Sequence, residues 1–129
     1  MRRETPLGRA RGLGSSRHGA EHWWAVRVNS VAALGLYVWL LVSLVRLPSL
    51  DHESVTEWLA EPLAAVPMLL LVAVTFWHIR HGLQEVIDDY VHDEGNRFFA
   101  LALVNFFAVV MGALAAFSVL EIAFAGAAA

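Results

Sequence analysis

The chain has 129 residues, of which 58% are hydrophobic and only 16% charged, well below the roughly one quarter charged residues of a soluble domain. All nine basic residues are arginine, the net charge is −3 and there is no cysteine. Disulfides, cysteine-held iron–sulfur clusters, thioether-linked haem and thiol nucleophiles are therefore excluded, and the arginines are placed as membrane orientation requires rather than as a basic surface for nucleic acid.

Residues 1–22 are polar, with Arg2, Arg3, Arg9, Arg11 and Arg17. No apolar stretch follows directly, which excludes a secretory signal peptide. The segment reads as a short cytoplasmic arm, with an arginine-rich organellar presequence as the alternative. His22, Trp23, Trp24 and Arg27 then form a cluster suited to the headgroup level, where an indole keeps its ring apolar and its N–H wet. Arg27 has two readings: it reaches lipid phosphates, or it pairs with a cofactor carboxylate. Residues 28–47 match the roughly 20 needed to cross a bilayer core. The polar residues of this first span, Asn29, Ser30 and Ser43, are expected to face partner helices, and Arg46 and Pro48 close it.

The loop over 47–61 carries Asp51, Glu53, Glu57 and Glu61. Ser54-Val55-Thr56-Glu57 fits a capping box that starts a helix, with Trp58 as its interfacial anchor. Pro62 and Pro67 are tolerable near a helix start, where Pro67 could introduce a kink. The apolar run 63–79 is too short to cross alone, so the second span is expected to continue as a helix to residue 88. Ion pairing or hydration must then handle Arg80, Glu85 and Asp88. Residues 91–97 read as a loop, turned by Gly95 and Asn96. The third span covers 98–124, with Asn105, Ser118 and Glu121 as its polar residues. Its small residues Ala108, Gly112 and Ala116 recur every four positions, a row suited to close helix packing.

Eight of the nine arginines lie in the N-terminal arm, at Arg27, or at Arg80 and Arg97 around the second loop, while the 47–61 loop has only Arg46 at its edge. Positive-inside logic puts the N-terminus and the second loop in the cytoplasm. The expected fold is an all-α membrane protein with three transmembrane helices and a cytoplasmic N-terminus. It divides into the arm 1–22, a three-helix membrane unit over 23–125 with spans near 28–47, 63–88 and 98–124, and a tail at 126–129.

Two groups of residues carry candidate chemistry. His78 and His81 share a helix face at i, i+3, and ionisable groups at membrane depth are functional hypotheses by default. Such a histidine suits an axial ligand of haem iron. Neighbours on one helix cannot serve both faces of one haem, and His18, His22, His52 and His92 lie outside the spans. A haem at His78 thus requires a partner subunit or a homodimer; the competing reading is a hydrogen-bonded packing histidine. Asp88-Asp89-Tyr90 is either a solvated helix end or a quinone headgroup site, in which a tyrosine hydroxyl donates to a carbonyl and a carboxylate relays protons.

The stretch HIRHGLQEVIDDYV, with His78, ten intervening residues, then Asp89-Tyr90-Val91, and with Gly82 four after the histidine, resembles the hydrophobic membrane-anchor subunit of succinate dehydrogenase, the D-type chain of complex II. HWWAVRVNSVAAL is similar to the Trp/Arg start of that family's first helix, and the resemblance covers about residues 22–125. It implies that His78 is the metal-binding axial ligand this chain gives to haem b, and that the second ligand comes from a C-type cytochrome b anchor subunit. It implies Tyr90 as hydrogen-bond donor to ubiquinone with Asp89 as acidic neighbour. Arg27 would stand on the propionate and quinone side, and His81 would touch a propionate or compete as ligand. The implied partners are the flavoprotein subunit, the iron–sulfur subunit and the lipid bilayer. The implied location is a bacterial inner (cytoplasmic) membrane, with the mitochondrial inner membrane as alternative. A homodimeric small cytochrome b and a non-redox subunit of a channel or transporter are the competing functions.

Overall fold

In the computed structural model, residues 17–127 are described. The arm expected over 1–22 lies outside the described residues up to position 16, as do positions 128–129 of the tail and the side chain of His22. Four helices make up the described chain: α1 Arg17–Arg46, α2 His52–Ala60, α3 Pro62–Tyr90 and α4 Glu94–Ala127. No strand occurs among these residues. The helices α1, α3 and α4 are each long and apolar enough to cross a membrane, which agrees with the all-α, three-span expectation. Hydrocarbon offers the backbone no hydrogen-bond partners, so an apolar run entering it must satisfy every peptide group internally.

The helices outrun the apolar stretches on which the expected spans were drawn. The 29 residues of α3 extend about 43 Å, against a hydrocarbon core of about 30 Å, so its last turns stand in the interface. Gly95 and Asn96, expected in a loop, belong instead to the first turn of α4. The reason is a cap: the Asp93 carboxylate accepts the Asn96 N–H at 2.9 Å, and the Asp93 carbonyl accepts the Arg97 N–H at 2.9 Å. A second cap displaces the expected start of α2. Asp51, not Ser54, is its N-cap, accepting the Ser54 N–H at 2.8 Å and the Ser49 hydroxyl at 2.6 Å. With the Ser54 amide taken by a carboxylate three residues ahead, the helix starts one turn before the Ser54–Glu57 box. Pro67 sits in the second turn of α3, which continues through it unbroken.

The central element is α3. It packs along α4 on one side and along α1 on the other, while among the described residues no Cα of α1 comes within 8 Å of one of α4. Both seams are antiparallel. Along the first, Phe76 faces Gly112, Arg80 faces Asn105 and Asp88 faces Arg97. Along the second, Tyr37 meets Thr75. The short α2 lies across the far ends of α3 and α4, where Leu59, Ala65 and Val119 form a small core bordered by Trp58, Met68, Leu69, Ile122 and Ala123. Trp58 also meets Trp39 of α1, ring centroids 5.8 Å apart. Gly126 passes so close to Ala60 that a Cβ there would collide with it.

The expected small-residue row does pack. Ala108 is buried, and a Cβ on Gly112 would stand 3.3 Å from the Phe76 ring. Among the described residues only Ala33, Leu59, Ala64, Ala65, Leu71, Ala108 and Val119 are buried, and none is polar. Large apolar side chains such as Phe99, Phe106, Phe107 and Phe117 are exposed, a surface for lipid tails and other apolar helices rather than water.

Two outcomes follow from these contacts. Gly112→Val overpacks the α3–α4 seam and should destabilise the protein by about 1–3 kcal/mol. Gly35→Val, where nothing lies within 4 Å of an added Cβ, should change stability by less than about 0.5 kcal/mol; unfolding midpoints in lipid bicelles compare the two. The second outcome concerns pH. The Ser49 hydroxyl, then the Ser54 amide and hydroxyl, hold the Asp51 carboxyl below its ordinary value of 3.8. A depressed acid stabilises the folded state above its unfolded pKa, and that contribution disappears as pH falls through the folded value. Amide-exchange protection at Ser54 should therefore decline on acidification below pH 4, and Asp51→Ala should remove that decline by lowering protection at neutral pH as well.

Candidate functional site

The rotation of α3 decides what its polar residues meet. Successive residues turn by about 100°, which puts Phe76 and Arg80 about 160° and 200° around the helix from His78. Both of the former point at α4. The Arg80 Nε donates to the Asn105 side-chain oxygen in a short hydrogen bond. Arg80 directly follows the apolar run 63–79, and a partner there spares it the cost of an unpaired guanidinium against hydrocarbon. With Arg80 committed to α4, His78 is turned away from it.

His78 opens onto a groove of about 420 Å³ between α1 and α3. Ser30, Ala33, Leu34 and Tyr37 line one wall, Thr75, His78 and Ile79 the other. The Ser30 hydroxyl donates back to the Val26 carbonyl at 2.9 Å, so this wall is small and largely apolar. One turn deeper, Tyr37 and Thr75 share a hydrogen bond of 2.7 Å that ties the two walls together. The His78 imidazole is exposed, and no hydrogen bond or ring contact engages it among the described residues. That is the arrangement a ligand from outside the chain needs.

His81 is placed differently. Its ring lies against Trp77 at 3.8 Å between centroids, and its Nδ1 is 2.8 Å from the Trp77 carbonyl. A carbonyl can only accept, so Nδ1 carries the proton and donates. Arg27 lies over the Trp23 ring, 3.9 Å from its centroid, a cation–π contact at the headgroup level. The antiparallel register set by Tyr37 and Thr75 brings Arg27 level with Glu85 of α3, about 10 Å along the axis from His78. Asp89 and Tyr90 end α3 about 18 Å from His78. Asp89 falls within about 20° of the His78 direction and Tyr90 about 120° from it. Both are exposed, Tyr90 by 79%. Gly82, between His78 and Asp89 on the same stripe, leaves open space where a Cβ would sit.

The predicted residues thus form an elongated strip rather than one pocket: His78 at the groove, Arg27 at an intermediate level, Asp89 and Tyr90 at the end. Asp88 departs from its two neighbours, its Oδ1 lying 2.7 Å from the Arg97 Nε. Sequence reading flagged Asn105 and Arg80 separately but did not join them, since that pairing depends on the register of two helices. Tyr37 and Thr75 drew no notice at all, being ordinary residues within apolar runs. Asn29 buries its amide nitrogen without a partner among the described residues. A second groove, about 480 Å³ between α2 and the end of α4, is lined by residues such as His52, Thr56 and Glu57 and includes none of the predicted site residues.

The Arg80–Asn105 bond yields a signed expectation. Asn105→Leu strands the guanidinium and should lower stability by about 1–2 kcal/mol, whereas adding Arg80→Met to it removes the stranded charge and should recover most of the loss. Unfolding midpoints of the two variants in bicelles settle the comparison; equal losses would mean that the pair carries no coupling.

Comparison with known proteins identifies the family. Residues 1–115 match the family model of the succinate dehydrogenase/fumarate reductase transmembrane subunit. The chain is 34% identical over 90 residues to the succinate dehydrogenase hydrophobic membrane anchor subunit of Paracoccus denitrificans, covering 70% of each chain. It is 26% identical over 102 residues to the subunit of the same name from Rickettsia bellii, covering 79% of this chain and 82% of the relative. It is 23% identical over 97 residues to the succinate dehydrogenase membrane anchor subunit of Reclinomonas americana, covering 73% and 81%. No solved structure matches. Three apolar helices and matches that reach across most of the chain lead to one conclusion: the chain belongs to the family of succinate dehydrogenase/fumarate reductase transmembrane subunits, among its hydrophobic membrane anchors.

Proposed function

We propose that this chain anchors the flavoprotein and iron–sulfur subunits of succinate:ubiquinone oxidoreductase to a bacterial inner membrane, with its N-terminus and the α3–α4 turn on the cytoplasmic side. In this reading it shares a haem b with a C-type cytochrome b subunit and completes the ubiquinone-reduction site. The observation that carries the haem assignment is the unengaged His78 imidazole on the one face of α3 that is open beside a small-walled groove. His81, already stacked on Trp77 and donating to its carbonyl, is the poorer ligand.

Bound at this position, haem b supplies a one-electron carrier of tunable potential. His78 would give it one imidazole and a partner subunit the other, because among the described residues no second histidine lines the groove. Ser30 and Ala33 leave room for a flat ring by being small. Arg27 offers a cation at the headgroup level for a carboxylate directed towards that end. At the end of α3, the Tyr90 hydroxyl donates to a quinone carbonyl, and Asp89 passes protons from cytoplasmic water. Electrons must arrive from clusters on another subunit, because this chain has no cysteine to hold one. The exposed aliphatic and aromatic side chains of α1 and α4 keep the assembly in lipid.

Two variants test the two halves. His78→Ala should abolish the low-spin bis-histidine spectrum of haem b in the purified complex, while His81→Ala should keep it; loss of that spectrum in His81→Ala alone would move the ligand. Tyr90→Phe keeps the ring and deletes the donor. Removing such a donor costs about a hundredfold in rate, so succinate oxidation with ubiquinone should fall by about that factor. Oxidation with an artificial acceptor that bypasses the membrane site should persist. An unchanged ratio of the two activities would place the quinone elsewhere.

A further inference from the structure

The Asp88–Arg97 ion pair stands in a peculiar place. Asp88 is in the last turn of α3, and Arg97 is in the first turn of α4. Each charge therefore opposes the macrodipole of its own helix, since acids are favoured at N-termini and cations at C-termini. A pair selected to stabilise the two helices would carry its signs the other way round. The pair is also exposed, with side-chain accessibilities of 35% for Asp88 and 48% for Arg97, so its own contribution to global stability is small. Its value lies in what it holds.

It holds a tight hairpin. Only residues 91–93 separate the two helices. The Val91 N–H closes α3 on the Ile87 carbonyl at 2.9 Å, and Asp93 caps α4 through the Asn96 and Arg97 amides. Arg97 is consequently fixed at its backbone by Asp93 and at its side chain by Asp88. Asp89 and Tyr90 follow Asp88 immediately and have no hydrogen-bond partner of their own among the described residues. A terminal helical turn held by few side-chain contacts opens at little free-energy cost, so the clasp one residue earlier adds to the Val91–Ile87 bond in holding this turn.

We propose that Asp88 and Arg97 form a positioning pair for the quinone site: by locking the final turn of α3 to α4, they present Asp89 and Tyr90 in the orientation that binds the quinone headgroup. Asp88 is thereby assigned a role distinct from that of its acidic neighbour. The inference rests on the reading of Tyr90 as quinone donor. Its signature is a binding effect, because a frayed turn must rewind before the headgroup is held, and only the wound fraction is competent.

The test is a double-mutant cycle in the intact complex, with Asp88→Ala, Arg97→Ala and both together, each normalised to artificial-acceptor activity. Each single variant should raise the KM for ubiquinone by about 1.4-fold to fivefold, the range open to an exposed pair, with kcat unchanged. The double variant should match a single one, because removing the second partner of a broken pair costs nothing more. Unchanged KM values, or effects of the two substitutions that multiply, would overturn the positioning role. Tyr90→Phe is measured alongside. If it slows ubiquinone reduction while the clasp variants do not, only the positioning role fails; if it has no effect either, the quinone reading itself fails.

Discussion

An arginine inside a membrane-spanning helix leaves the rest of that helix little freedom. A guanidinium facing hydrocarbon is costly, and the Asn105 amide on α4 is the partner Arg80 takes. That bond fixes the rotation of α3, and the close approach of Phe76 to Gly112 on the same side reinforces it. Everything else on α3 follows by helical arithmetic. The side opposite Arg80 carries His78, Gly82, Glu85 and Asp89, and the α1 wall beside His78 is formed by Ser30, Ala33, Leu34 and Tyr37, the last bonded to Thr75. The α3–α4 pair is thus the more extensively packed part of the molecule, and α1 is the wall that completes the groove.

This division explains how so small a chain serves as an anchor. Few side chains are buried and no polar one is, so the fold has little core of its own; its stability comes from hydrocarbon outside and from three seams inside. The polar groups are arranged by depth. Arg80 and Asn105 satisfy one another within the bundle, whereas Asp88 and Arg97 clasp it at its end. Among the described residues the side chains of His78, Asp89 and Tyr90 have no hydrogen-bond partner within the chain, which is what a site completed by other subunits requires. A histidine bonded on all sides would pack well and ligate nothing.

Much of this was legible in the residues. The three apolar runs, the arginine asymmetry and the His78…Asp89-Tyr90 spacing are local in sequence, and the small-residue row at Ala108, Gly112 and Ala116 announces a packing face by its period alone. What the sequence hid depends on the third dimension. Asp93 caps a helix that hydrophobicity starts later, and Asp51 caps one that the Ser54–Glu57 motif starts three residues on, since caps follow side-chain reach. Asp88 looked like a companion of Asp89 until the α3–α4 register brought Arg97 beside it. The difference between His78 and His81 is likewise invisible in a string where both are histidines on one face; it lies in Trp77, whose ring and carbonyl engage only the second.

The central claim is that this chain offers half of a haem site and half of a quinone site, each completed by another polypeptide. Isolating the chain from native membranes through a terminal tag, and measuring haem, flavin and polypeptide stoichiometry in the same preparation, tests it most directly. The account predicts one low-spin haem b per copy, together with one copy each of a flavin-bearing subunit, an iron–sulfur subunit and a second histidine-bearing membrane subunit. Recovery of haem with this chain as the sole polypeptide would contradict it and make the chain a homodimeric cytochrome, and recovery of the chain with neither haem nor flavin would remove it from electron transfer altogether.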